Sequence, residues 1–139
     1  MIDDPLYYGE GYRYQVKSRP CSVRTAIIGY DINREFYSLT VQGVLTAKVG
    51  YAWDGASGAL TIQTKSNKRA SLFHDILYQM LRAGELPHDP CFHLANEELR
   101  KIMVRDGAFG WRANYFFTAV EKFGDAHAAV QPEKIFTAP

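Results

Sequence analysis

The sequence predicts an α+β fold, a small antiparallel sheet from the N-terminal half packed against three helices from the C-terminal half. Three observations predict it. Up to Trp53, apolar residues alternate with polar ones, the period of half-buried strands. After Ser71 they recur at three- and four-residue spacing, the period of amphipathic helices. Between the two, Gly55 to Asn67 changes to Gly, Ser, Thr, Asn and Lys, which is loop chemistry.

Taken in order, Tyr12, Tyr14 and Val16 alternate with Arg13, Gln15 and Lys17 in a first strand that Arg19-Pro20 ends, because proline cannot donate to a ladder. A β-prone run from Val23 to Tyr30 follows, then the turn-like Asp31-Ile32-Asn33 and a run from Phe36 to Val41. Gly43 to Trp53 reads as one strand, with Leu45, Ala47, Val49, Tyr51 and Trp53 on a shared face. Ser66 or Asn67 suits the N-cap of a helix that runs to about Arg82, with Gly84 as its stop. A second helix is expected over about Phe92–Val104, after the Pro87-His88-Asp89-Pro90 turn, with Phe92, Ala95, Leu99, Ile102 and Met103 on one stripe. A third, about Gly110–Phe123, carries Trp111, Tyr115, Phe116, Ala119, Val120 and Phe123, and Gly124 closes it. The expected organisation is a single domain over residues 1–124 and a C-terminal tail over 125–139.

Composition narrows the classes of function. The chain has 139 residues, 47% hydrophobic and 22% charged, which is ordinary globular composition for a chain of one core. A net charge of +1 provides no overall basic field for nucleic acid or anionic lipid. Nine Tyr and eight Phe point to a core or interface built on rings. Cys21 and Cys91 are too few and too far apart for a disulfide framework or a CxxC metal site, and are read as free thiols. Met1-Ile2-Asp3-Asp4-Pro5 puts acids where a signal peptide has bases, no apolar run approaches the length of a membrane span, and synthesis in the cytoplasm is expected.

Chemistry is sought between Gly50 and Tyr78. At about 100° per residue, Ser71, His74, Asp75, Tyr78 and Arg82 share one arc of the first helix, opposite Leu72, Phe73, Ile76, Leu77, Met80 and Leu81. One reading makes this arc the solvent face. The other notes that a hydroxyl, an imidazole, a carboxylate and a phenol are ligands and proton carriers, whereas solvent faces favour Lys and Glu. Asp54, on the Asp-Gly turn at the strand end, is either a turn former or, with Ser57, points toward His74 and Asp75. Asp54, His74 and Asp75 could then hold a divalent cation or activate water as acid and base. Asn96 and Arg112 fall where apolar residues are expected, which suggests a structural polar network or an anion clamp. Asp75 or Asp54 would be the natural partner of the guanidinium. His88 and His93 flank a turn and are expected to be exposed.

Three blocks carry a resemblance: Gly50-Tyr51-Ala52-Trp53-Asp54-Gly55-Ala56-Ser57-Gly58; Arg69-Ala70-Ser71-Leu72-Phe73-His74-Asp75-Ile76-Leu77-Tyr78-Gln79; and Trp111-Arg112-Ala113 with Ala119-Val120 and Phe123-Gly124. In their order and spacing the chain resembles the DUF1353 family, small proteins of tailed bacteriophages and prophages whose function is unknown, over about residues 41–124. The family often carries an acid in the loop before Lys65 and an Asp after the alanine that opens the second helix. Gln63 and Asn96 stand there in this chain, and amides are poorer cation ligands.

The resemblance implies phage provenance, and the leading expectation built on it is a phage-encoded structural or accessory protein, associated with the virion tail or baseplate, made in the host cytoplasm, whose partners are other phage proteins or further copies of itself. In that reading the Asp54/His74/Asp75 cluster joins sheet to helices. The rival is a hydrolase with Asp54, His74 and Asp75 as metal ligands or acid and base. A third reading is a binder of small anionic ligands such as nucleotides, with Ser57 and Arg112 on the anion and a tyrosine such as Tyr78 against a base. An enzyme predicts an open concave site. A scaffold predicts a His74 satisfied by protein partners and an exposed aromatic patch.

Overall fold

Among the described residues seven short strands come first: β1 (Tyr8–Gly9), β2 (Tyr14–Val16), β3 (Cys21–Arg24), β4 (Ile32–Asn33), β5 (Tyr37–Leu39), β6 (Val44–Ala47) and β7 (Ala52–Trp53). Four helices follow among them: α1 (Lys65–Arg82), α2 (His88–Arg105), α3 (Gly110–Phe123) and α4 (Asp125–Ala128). The computed structural model describes residues 2–9, 14–53 and 65–128, apart from the side chains of residues 65, 66, 126 and 127. The arrangement is α+β, as expected.

The strands form two antiparallel sheets where one was expected, in the orders β1-β2-β7 and β3-β6-β5-β4. The cause is a break in the run read as a single strand from Gly43 to Trp53. Gly50 takes φ +99, a left-handed value that glycine adopts without strain, and Tyr51 N–H closes the turn onto the Lys48 carbonyl at 3.1 Å. Beyond the turn the chain leaves β5 and joins β2, where Val16 N–H donates to Tyr51 C=O and Gly50 N–H donates to Val16 C=O, both at 2.9 Å. Leu45, Ala47, Tyr51 and Trp53 are buried as expected, whereas Val49, at the turn, is exposed.

The helices hold to their expected positions with four corrections. α1 begins at Lys65, so Ser66 and Asn67 lie inside its first turn, and Asn67 is buried. Gly84, at φ +73, ends it. α2 begins earlier than expected, at His88, with non-helical geometry at Asp89 ahead of the cis peptide to Pro90. α3 has the expected bounds, but its buried side is Ala113, Phe116 and Val120, while Trp111, Tyr115 and Phe123 face outward. The segment expected as a tail from residue 125 opens instead with α4, which packs on α1, and Ala128 is buried.

α1 is the centre of the molecule. Between Asn67 and Leu81 every residue is buried except Arg69, Asp75 and Gln79, which are half-buried. α2 covers one side, β6 and α4 touch others, and α3 packs on α2. Sheets and helices are cross-tied by polar contacts: Tyr51 Oη donates to Gln79 Oε1 (3.0 Å), Trp53 Nε1 to Ser71 Oγ (3.2 Å), and Ala26 N–H to Glu98 Oε1 (2.9 Å). Tyr37 Oη donates to Glu85 Oε1 at 2.6 Å, and Arg34 Nε lies 2.5 Å from Oε2 in a charge contact too poorly aligned to be a hydrogen bond. Lys68 Nζ sits 3.7 Å from the centre of the Tyr14 ring, a cation–π contact inside the Tyr8, Tyr14 and Trp53 cluster. Both cysteines are unpaired and buried, and burial pushes the Cys21 thiol up to about 12. Among the described residues no helix is long and apolar enough to cross a membrane.

Arg69 ties the N-terminal segment to the helices. Nη1 donates to Asp3 Oδ1 (2.7 Å) and to the Asp4 carbonyl (2.8 Å), and Nε and Nη2 fork onto Asp106 at 3.0 and 2.7 Å. Burial works against its charge, but the bonds to Asp106 and Asp3 outweigh burial and keep it protonated. Arg69→Met leaves Asp106 half-buried without its fork and Asp3 with only Arg105 Nε at 3.6 Å, and is expected to cost about 1–3 kcal/mol, less than breaking a fully buried pair because both acids retain solvent. Urea unfolding should show a lower midpoint at unchanged slope.

Candidate functional site

The polar arc of α1 does not face solvent. Ser71, His74 and Tyr78 are 4, 6 and 5% exposed, which overturns the solvent-face reading. On the enclosed sides of such a helix each polar group must be satisfied from within the protein. Ser71 Oγ donates to the Lys68 carbonyl (2.9 Å) while accepting from Trp53.

His74 and Tyr78 converge on Asn96, which is fully buried on α2. Asn96 Oδ1 accepts from His74 Nε2 and from Tyr78 Oη, each at 2.8 Å, and Asn96 Nδ2 donates to Glu121 Oε2 of α3 at 2.9 Å. This set fixes both the amide and the imidazole. A carboxylate behind Asn96 requires its NH₂ there, so its oxygen faces His74, and that oxygen requires a proton on Nε2. The other oxygen of Glu121 pairs with His93 Nδ1, and His93 Nε2 lies 3.5 Å from Glu97. A chain of polar contacts thus runs from the core to the surface across α1, α2 and α3.

A ring stack runs beside it. His74 and Tyr78 have centroids 4.0 Å apart, Tyr78 and Phe92 5.8 Å, and Phe92 and His88 4.9 Å at an interplanar angle of 8°. His88 Nε2 meets Asp125 at 2.5 Å, and that bond is the main cause of the raised pKa of this exposed imidazole. His88 and His93 are exposed, as expected. Gly124 lets the stack close, since a Cβ there would lie 2.1 Å from Tyr78 Oη and 2.5 Å from the Val120 carbonyl oxygen.

Burial lowers the His74 pKa to about 4, with the Asn96 bond opposing it only in part, so the ring is neutral at pH 7. Burial also raises Tyr78, holding it as a phenol. Asp75 is half-buried and partnered, and its charge adds to burial in raising the Tyr51 phenol.

No protein-family profile, curated protein or solved structure matches the chain.

Asp54 and Ser57, and Gln63 with them, lie outside the described residues. Among the described residues there is no group of three or more His, Cys, Asp or Glu arranged to hold a metal ion. His74 and Asp75 are adjacent on α1 but differ in setting, one enclosed and the other half-buried. Tyr78 spends its hydroxyl on Asn96 and its ring on the stack. Arg112 does not meet Asp75. Its guanidinium lies over Phe116, 5.3 Å from the ring centre, with Nε and Nη2 buried and no hydrogen-bond acceptor among the described residues.

Two members escaped the sequence reading. Glu121 follows Val120 at the edge of the buried side of α3, and Glu98 sits on the inner stripe of α2 between Ala95 and Ile102, where a carboxylate is as unexpected as Asn96. The same test, a polar residue on an apolar stripe, would have found Glu98.

Two outcomes are expected. Gly124→Ala should cost about 1–3 kcal/mol by driving Tyr78 from Asn96, and Tyr78→Phe should recover part of that loss in the double variant, read from urea midpoints. For His74, the folded pKa lies below the unfolded value, so the unfolded chain takes up a proton first as pH falls. Its contribution is absent above about pH 6.5 and grows unfavourable down to about pH 4, to roughly 3 kcal/mol. Thermal melts across that window should show a shallower acid loss in His74→Gln than in the wild type.

Proposed function

We propose that the chain is a bacteriophage-encoded structural or accessory protein, placed in a tail or baseplate assembly, in which the His74 cluster locks helix to helix. The observation that carries this reading is the enclosure of His74. It is 6% exposed, its Nε2 is committed to Asn96 and its ring face to Tyr78. A catalytic base or metal ligand must exchange protons or ligands with something outside the protein, and a ring with a pKa of about 4 is a weak base at neutral pH. The apolar surface lies elsewhere: Phe109, Trp111, Tyr115 and Phe123 are 63–72% exposed. The phage provenance rests on the resemblance to the DUF1353 family. The lock itself ties α1, α2 and α3 through Asn96 and Glu121, while Tyr51, Trp53 and Tyr37 make the ties to the sheets.

One observation favours the hydrolase as a second reading. Asn96 fixes the His74 proton on Nε2, which leaves Nδ1 as the nitrogen with the lone pair, beside Asp75 in sequence. In that reading Asp54, His74 and Asp75 would hold a divalent cation or would work as acid and base, with Nδ1 taking the proton of an attacking water.

The two separate cleanly. Quantitative mass spectrometry of gradient-purified particles should find the chain at fixed copy number, and His74→Gln should lower its thermal stability without removing metal or any ester, phosphoester or amide hydrolysis. Absence from particles, together with stoichiometric metal by inductively coupled plasma mass spectrometry and a hydrolysis lost in a folded His74→Gln, would reverse the assignment.

A further inference from the structure

α3 carries a second message on its outer side. Trp111, Tyr115, Ala119 and Phe123 are spaced by four, so they form one continuous ridge on the helix surface, the kind that packs into the groove of a second helix. Its three rings are 72, 63 and 70% exposed, and Phe109, at the N-terminal end of the helix, is 71% exposed. No described element covers them. The opposite side of α3, with Ala113, Phe116 and Val120, already packs inward, so among the described residues the ridge has no part in the core.

The order of sizes along the ridge is large, large, small, large. Reversed against itself, Trp111 falls opposite Phe123 and Tyr115 falls opposite Ala119. Each large ring then meets either another ring that it can stack against or the one gap in the series. A ridge that fits its own reverse is the mark of an isologous two-fold contact. At about 100° per residue, Arg112 and Lys122 stand on opposite flanks of the ridge, and a two-fold keeps like charges apart. Antiparallel helices also oppose their macrodipoles favourably.

An aromatic side chain buries roughly 150–250 Å² when covered, so the three ridge rings at these exposures offer roughly 400 Å² per copy and about 800 Å² in a symmetric pair, which with Ala119 and the flanking side chains reaches the low end of specific interfaces, that of a weak, concentration-dependent dimer. We propose that the occupant of this face is a second copy of the chain, packed antiparallel through α3 with Tyr115 seated on Ala119. The proposal goes beyond the assembly reading and does not rest on it, because the ridge and its spacing belong to α3 whatever the chain is part of.

Sedimentation velocity and light scattering on the full chain, from about 1 to 200 μM, test it. The wild type should dimerise. Trp111→Ser should weaken the dimer at least tenfold, and Ala119→Tyr, which fills the seat of Tyr115, should leave a monomer. Combining Tyr115→Ala with Ala119→Tyr exchanges large for small and should bring the dimer back to within about threefold of the wild type. Circular dichroism melts should confirm that each variant is folded, with Trp111→Ser as the variant least able to disturb the core, since its ring is 72% exposed. A wild type monomeric to 200 μM overturns the proposal. So does a dimer indifferent to both single substitutions, or a size exchange that fails to restore association.

Discussion

The constraint on which the rest of the structure depends is the enclosure of α1. A helix surrounded on all sides is ordinarily apolar all round, and this one is not: Asn67, Lys68, Ser71, His74 and Tyr78 are buried with Leu72, Phe73, Ile76 and Leu77. Leaving a buried polar group unsatisfied costs about 1–3 kcal/mol, so several such groups on one helix would unfold a domain of ordinary stability. Elements from both halves of the chain supply partners. The sheets bring Trp53 and Tyr51, α2 brings Asn96, and the turn after α2 brings Asp106. Secondary structure here is arranged to answer the donors and acceptors of one helix.

Asn96 is the most economical answer. A single amide satisfies an imidazole, a phenol and a carboxylate, and because its two ends are chemically unlike it accepts only one orientation of each. An aspartate there would place two carboxylates side by side with Glu121. The amide keeps a second negative charge away from a neutral histidine. α3 extends the division of labour, with Glu121 contributing inward while its aromatic ridge is turned away from the core.

Periodicity made the fold class legible, and the bounds of α3, the stops at Gly84 and Gly124 and the exposure of His88 and His93 could all be read from residue types. The division into two sheets could not, because alternation continues in phase through Gly43–Trp53 and the turn depends on one glycine whose conformation a pattern of apolar residues does not report. The burial of the α1 polar arc was illegible for a related reason. A helical wheel tells which residues share a side, but not how many sides are covered, and coverage here is decided by elements far away in sequence. His74, Asp75, Tyr78 and Asn96 were singled out by type, whereas Glu121 was overlooked because a glutamate next to apolar positions on a surface helix looks ordinary.

The two buried cysteines give the molecule an internal clock. Cys21 lies in β3 and Cys91 in α2, one thiol in each half, and burial raises the pKa of both. A thiol reacts as its thiolate and only when reached, so alkylating reagents report opening events and not the resting surface. If the sheets and helices separate in one step, both sulfurs are uncovered by the same event and lose protection together. If the helical layer loosens while the sheet persists, Cys91 reacts first. The native sequence thus carries a reporter of whether its two halves come apart together.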